Sequence, residues 1–369
     1  MTTVFISCGE TSGDQYAADI ISTCSNESIH FIGNGGAAMK RAGATVLFNV
    51  VEKSTIGFIE PILKIPFFLN VLRITKKTIL KHHIKTVLII DHQGFNIPLA
   101  KWCKSKGVRV ISFIAPQFWM WGHLKKAQQF VKTCDHIVCI FEKEYEYYKA
   151  IDPKKVSRVD HPLVEALPKR ETHKDMIIGL FPGSRQQEVT HCLPLMIATS
   201  KILKERFPES RFKLAIASPA MADLIIPSLK NTHIEHTSNS RQLISEATLS
   251  LVASGTVSLE HAIIGTPCIV MYKFSPISYA IAALIVLKKL QENCGGFMAL
   301  PNILLNSEVC PEFLQSEATV DNISSSAINL LNNKKKSQQM ASDLKAVTQM
   351  LSCNQSPFKK IKSLITCQS

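Results

Sequence analysis

The stretch Leu249 to Lys273 constrains the fold more tightly than any other, because it reads as three elements in succession. A β-rich run, Leu249 to Ala253, ends at Ser254-Gly255-Thr256, and a helical pattern follows with Val257, Leu259, Ala262 and Ile263 on its apolar side. Gly265 and Pro267 stop that helix and release a second buried strand, Cys268 to Tyr272. A strand-turn-helix-strand unit aims the free N–H groups of the helix start, at the positive end of its dipole, over the carboxyl edge of the sheet. A diphosphate suits that position. Glu260 lies one turn after Thr256, where a carboxylate can accept two hydrogen bonds from a ribose diol. An ordinary capped helix with a solvated glutamate fits the same residues.

The same grammar recurs upstream. Val4 to Cys8 runs as a strand into Gly9-Glu10-Thr11-Ser12-Gly13-Asp14, and Tyr16 to Ile21 is helical. The glycine spacing there, and at Gly33-Asn34-Gly35-Gly36, is off the dinucleotide pattern, so a dehydrogenase has weak support. Thr86 to Ile90 is an apolar strand leading to Asp91-His92-Gln93-Gly94-Phe95-Asn96, and Val108 to Ile114 leads to Ala115 through Trp121. Polar residues just past the carboxyl ends of central strands belong to the ligand crevice of an open α/β sheet, which makes Asp91 and His92 the acid-base candidates. A turn and helix cap is the competing reading. Ile177 to Phe181 restarts a sheet and ends at Pro182-Gly183-Ser184-Arg185, where the arginine suits a phosphate clamp or, alternatively, a surface pair with Glu188.

A length of 369 residues with 46% apolar content suits two domains, with Glu171 to Lys174 as the linker. The formal charge of +13 fits nucleic acid, an anionic membrane or phosphorylated substrates until the charges are located. Two segments locate some of them. Phe58 to His83, broken by Pro61 and Pro66, sets Phe67, Phe68 and Leu69 beside Arg73, Lys76, Lys77 and Lys81, and Ile277 to Leu290 carries two lysines near its end. Both are too short to span a bilayer and suit its interface, although a buried helix with solvated lysines is equally consistent for the first. The 11 cysteines form no C-x-x-C pair and read as reduced, mostly interior thiols. The N-terminus reads as a strand rather than a signal peptide, so a cytoplasmic protein is expected. Leu300-Pro301-Asn302-Ile303-Leu304 reads as a tight turn, and Val320 onward as a basic helical tail.

Taken in order, Gly9-Glu-Thr-Ser-Gly-Asp14, His161-Pro162-Leu163, Leu180-Phe-Pro-Gly-Ser-Arg185, Val252-Ala-Ser-Gly-Thr256 with Leu259-Glu260, Gly265-Thr-Pro267, Tyr272-Lys-Phe-Ser-Pro276 and Leu300-Pro-Asn-Ile-Leu304 resemble the lipid-A-disaccharide synthases across nearly the whole chain. The resemblance implies an α/β GT-B architecture, two Rossmann-like domains with parallel sheets facing a central cleft. It implies an N-terminal acceptor-side domain over 1–170, a donor-side domain over 171–345, and a C-terminal helix over 346–369 crossing back to the first.

The implied reaction is inverting transfer from UDP-2,3-diacylglucosamine to 2,3-diacylglucosamine 1-phosphate, giving the β-1,6 disaccharide and UDP. Ser184, Arg185, Ser254, Gly255, Thr256, Glu260 and Asn302 are then expected to hold the UDP-sugar, with Asp91, His92 and Glu10 as the catalytic set. Acyl chains and membrane are expected at Phe67, Phe68, Leu69, Ile281 and Leu284, on the inner-membrane surface of a Gram-negative bacterium. No Asp-x-Asp occurs, so a metal held by paired carboxylates is not expected. The resemblance implies no other cofactor and no nucleic-acid partner, and a homodimer stays open. The chain departs from the family where Gly94 replaces the second acid of Asp-x-x-Asp-Phe-Asn, where Gly122 follows Trp121, and at Ser307. A UDP-sugar epimerase and a binding-only relative remain alternatives.

Overall fold

The computed structural model describes residues 2–53, 64–121, 123–171, 175–273 and 288–367. The chain forms two compact units, one of Met1–Pro162 with Leu351–Ser369, the other of Leu163–Met350. Gly122, Ile281, Leu284 and most of the apolar stretch Ile277 to Leu290 lie outside the described residues, as do 172–174; Glu171 itself donates its N–H to the Ser245 carbonyl within the second unit.

In the first unit, β1 (Thr2–Cys8), β2 (Ile29–Gly35), β3 (Thr45–Asn49), β4 (Thr86–Ile90), β5 (Arg109–Phe113), β6 (His136–Cys139) and β7 (Val156–Arg158) form a parallel sheet in the order β3-β2-β1-β4-β5-β6-β7. The apolar runs dictate this arrangement: all of β4 is buried, as is all of β1 after Thr3, so helices must cover both faces. In the second unit, β8 (Ile177–Phe181), β9 (Arg211–Ala215), β10 (Ile234–Thr237), β11 (Leu249–Ala253), β12 (Cys268–Tyr272) and β13 (Glu312–Leu314) form a parallel sheet ordered β10-β9-β8-β11-β12-β13. Strand order reverses between β1 and β4 in one sheet and between β8 and β11 in the other. At such a reversal the flanking helices lie on opposite faces and leave a crevice at the carboxyl edge.

Asp14 shows how the first glycine motif serves the fold. Its buried carboxylate accepts N–H bonds from Gly36 (2.7 Å), Ala38 (2.9 Å) and Met39 (3.1 Å), capping the helix Ala37–Arg41 from across the sheet edge. A Cβ on Gly36 would lie 2.5 Å from that carboxylate, which fixes glycine there. The helix Pro357–Thr366 also belongs to the first unit: Lys362 pairs with Glu27 at 2.9 Å, and Arg109 donates to the carbonyls of Leu364 and Cys367.

Two sequence expectations need correction. Leu300 to Leu304 is not a turn but the start of the helix Leu300–Leu305, because Pro301 sits in its first turn, where the missing N–H costs nothing. The helix Thr256–Ile264 buries Ser258, Leu259, His261, Ala262 and Ile264, whereas Val257 and Ile263 are only half-buried. All eleven cysteines are free thiols, and only Cys353 and Cys367 escape burial.

Candidate active site

At the reversal in the first sheet, the register pairs Cys8 with Ile90, so Gly9-Glu10 and Asp91-His92 leave the edge side by side. Asn96 fastens the two strand ends together: its Nδ2 reaches the carbonyls of Asp91 (2.8 Å), Ser7 (3.1 Å) and Ile90 (3.2 Å). Asp91 and His92 both take φ of +47°, and Ile114, at the end of the neighbouring β5, takes +63°. Left-handed backbone is costly for such residues, most of all for a β-branched one, and three cases on one edge mark where the fold spends stability on geometry.

The His92 ring stacks on Phe95 (centroids 5.9 Å apart) and meets Phe68 edge-on at 5.5 Å. Gly9 lies beneath it, and a Cβ there would fall 2.2 Å from Nδ1. Burial pushes the imidazole down to about 4, so it is neutral at pH 7, and its Nδ1 has no hydrogen-bond partner among the described residues. Asp91 moves the other way. Burial first, and then the charge of Glu10, raise its carboxyl to about 6. Glu10 caps the helix Thr11–Thr23 by its backbone, without a side-chain cap bond. The edge thus holds two unprotonated bases near neutrality, one anionic and one neutral. Gly94, in the first turn of the helix Gln93–Ser105, would direct a Cβ into open space.

The helix Ile65–Lys81 brings Phe68 to His92 and buries Val71, Thr75 and Ile79 at i, i+4, i+8 spacing. Its other face leaves Ile65, Leu69 and Leu80 49%, 60% and 53% exposed. Leu69, Arg73, Lys76, Lys77 and Leu80 line a surface groove with Trp102, over whose ring Lys76 Nζ sits at 5.6 Å. Packed helix and apolar-cationic surface are therefore two faces of one element. Among the described residues no helix is long and apolar enough to cross a membrane, and no three His, Cys, Asp or Glu side chains come together as a metal site.

In the second sheet, Phe181 pairs with Val252, placing the Pro182–Arg185 turn beside Ser254-Gly255-Thr256. Gly255 has extended backbone, open space around its Cβ position, and no side chain capping the helix that follows. Ser254 N–H is engaged by the Met271 carbonyl and Ser258 N–H by that of Gly255. Arg185 Nη1 binds Glu188 Oε1 at 2.7 Å, and the guanidinium side chain remains 38% exposed. Glu260 is 17% exposed in its side chain and lies 3.6 Å from Arg241 Nε; burial raises its carboxyl and the arginine opposes the rise.

Asn302 is fully buried and fully occupied. Its amide nitrogen donates to the Cys310 carbonyl and to Glu312, and its oxygen accepts from the N–H groups of Val309 and Cys310. Sequence reasoning missed the roles of Asn96 and Glu312, because each acts through a partner that only the fold supplies, whereas the pairing of Glu188 with Arg185 was one of the two readings of that turn.

The family model for lipid-A-disaccharide synthetase (LpxB) matches residues 4–362. The chain is 30% identical over 363 residues to the lipid-A-disaccharide synthase of Sulfurihydrogenibium sp. (strain YO3AOP1), covering 90% of each sequence. It also superposes on the glycotransferase of kitacinnamycin with a TM-score of 0.65 at 11% identity, covering 99% of this chain and 98% of that one. With the UDP-GlcNAc 2-epimerase of Neisseria meningitidis the TM-score is 0.63 at 10% identity, covering 99% and 100%. At those identities the structural likeness speaks for the fold alone, which is GT-B, while the sequence matches speak for descent. The chain belongs to the lipid-A-disaccharide synthase family and is a glycosyltransferase of lipid A synthesis.

Proposed function

We propose that the chain joins UDP-2,3-diacylglucosamine to 2,3-diacylglucosamine 1-phosphate with inversion. The acceptor 6-hydroxyl attacks the donor anomeric carbon, its proton passes to a base of the first unit, and the bond to the diphosphate breaks to release UDP. The observation that carries this reading is the edge of the first sheet, where Asp91 and His92 stand unprotonated at neutral pH on strained, pinned backbone. With Gly94 offering no carboxylate, Asp91 is the stronger candidate, since an anion raised to about 6 accepts a proton readily near pH 7.

The second unit takes the donor in this reading. The uncapped start of the helix Thr256–Ile264, with Ser184 and Arg185 on the adjoining turn, supplies N–H groups and positive charge for the departing diphosphate. Glu260 serves the ribose diol, and Asn302 acts at one remove by locking the loop before β13. No metal or other cofactor is invoked for the leaving group. Ile65, Leu69 and Leu80 with Arg73, Lys76 and Lys77 suit an anionic inner-leaflet surface carrying the acylated sugars, and Phe67 and Phe68 extend that apolar face toward His92.

The test is to supply both acylated sugars in mixed micelles and follow UDP. The wild type should release it, and the double variant Asp91→Ala, His92→Ala should not. Wild-type turnover by that variant would remove both residues as the base. UDP binding without release by the wild type would point to a binding-only relative.

A further inference from the structure

Arg185 does not stand on its turn unaided. Glu188, in the first turn of the helix Gln186–Arg206 and 5% exposed, accepts from Arg185 Nη1 at 2.7 Å through Oε1 and from Ser184 N–H at 3.1 Å through Oε2. Its carboxylate also fills the space above Gly183. That glycine has φ of +106°, and a Cβ on it would lie 2.3 Å from Glu188 Oε2. Tyr272, at the end of β12, shares the corner: burial and then the charge of Glu188 push its hydroxyl up to about 12, while Arg185 opposes the shift. A buried carboxylate is tolerable only when paired and hydrogen-bonded, and here both oxygens are engaged by the same short turn.

We propose that Glu188 is a positioning residue for the nucleoside diphosphate site, holding Arg185 in one orientation and the Ser184 turn in one shape before the ligand arrives. The proposal rests on the reading that Arg185 meets the diphosphate. The Arg185 side chain stays 38% exposed while Glu188 holds its Nη1, so a guanidinium fixed at that point can still be reached by an anion from solvent. An unheld arginine must give up most of its rotamer freedom on binding, and prior ordering by Glu188 is therefore worth roughly tenfold in affinity.

The test compares UDP and uridine binding by calorimetry across wild type, Glu188→Gln, Arg185→Ala and the double variant. Gln keeps the shape and one acceptor but removes the charge that holds the guanidinium. Glu188→Gln should weaken UDP roughly tenfold and leave uridine unchanged, and in the double variant it should add little to the loss from Arg185→Ala. If Arg185→Ala weakens UDP while Glu188→Gln binds it like the wild type, the positioning role is refuted. Equal weakening of UDP and uridine by Glu188→Gln would also refute it, since that is collapse of the turn. UDP affinity untouched by Arg185→Ala would overturn the diphosphate reading itself.

Discussion

The pH dependence of transfer separates the two candidate bases. A carboxylate works as a base only when ionised, so activity carried by Asp91 falls as pH drops through the folded value of about 6. The ionised fraction is about 0.9 at pH 7 and about 0.1 at pH 5, so kcat/KM should fall about tenfold across that interval. His92, held near 4 by burial, is neutral throughout, and a reaction resting on it would lose only about a tenth of its rate. An aspartate at its ordinary value would give a flat profile too. Replacing Glu10 by Gln removes the second cause of the Asp91 shift but leaves burial, so the acidic limb should move to lower pH without reaching that ordinary value. UDP release at subsaturating donor, from pH 4.5 to 8, reads all of this, with samples returned to pH 7 to exclude acid unfolding. A wild-type profile flat between pH 5 and 7 would refute a burial-raised Asp91 as the base, leaving His92 or an aspartate at its ordinary value.

Two further outcomes concern Gly94 and the buried histidines. Gly94→Asp has room and sits near a helix N-terminus, so it should leave stability unchanged or raise it by about 0.5 kcal/mol. It should also increase the rate of UDP release; an unchanged rate would mean that the existing edge supplies the whole of base catalysis. His161 and His261 are buried and held down to about 3 and about 4, so below the ordinary histidine range the unfolded chain takes up protons that the fold refuses. The stability each contributes is present at pH 7 and lost on acidification, by about 2 kcal/mol at pH 5. In urea unfolding, the gap between wild type and His261→Gln should narrow by about that amount between pH 7.5 and 5, and a constant gap would contradict the assignment.

Strands with predominantly apolar runs were legible from the sequence, as Ile177–Phe181, Thr86–Ile90, Leu249–Ala253 and Cys268–Tyr272 illustrate, because burial on both faces favours that composition. The ordered motifs were enough to place the chain in its family. The helix Leu300–Leu305 was not legible, since Pro301 between apolar residues signals a turn as readily as a first helical turn. Nor could spacing show that Asp14 serves backbone N–H groups more than twenty residues away, or that Asn96 joins two strands. Those are bonds between distant stretches that become neighbours only through sheet order. The strain at Asp91, His92 and Ile114 was equally invisible, because aspartate and histidine only tolerate a left-handed backbone better than most and isoleucine disfavours it.

The return of Leu351–Ser369 to the first unit bears on how the protein is made. Residues 163–350 are one continuous stretch, so that unit needs nothing made after it to complete itself. The earlier-made part, which carries Asp91 and His92, lacks the partner for Glu27 and Arg109 until Lys362 and Leu364 emerge. Synthesis order and order of completion thereby differ: the unit begun first is closed by a segment made after the second.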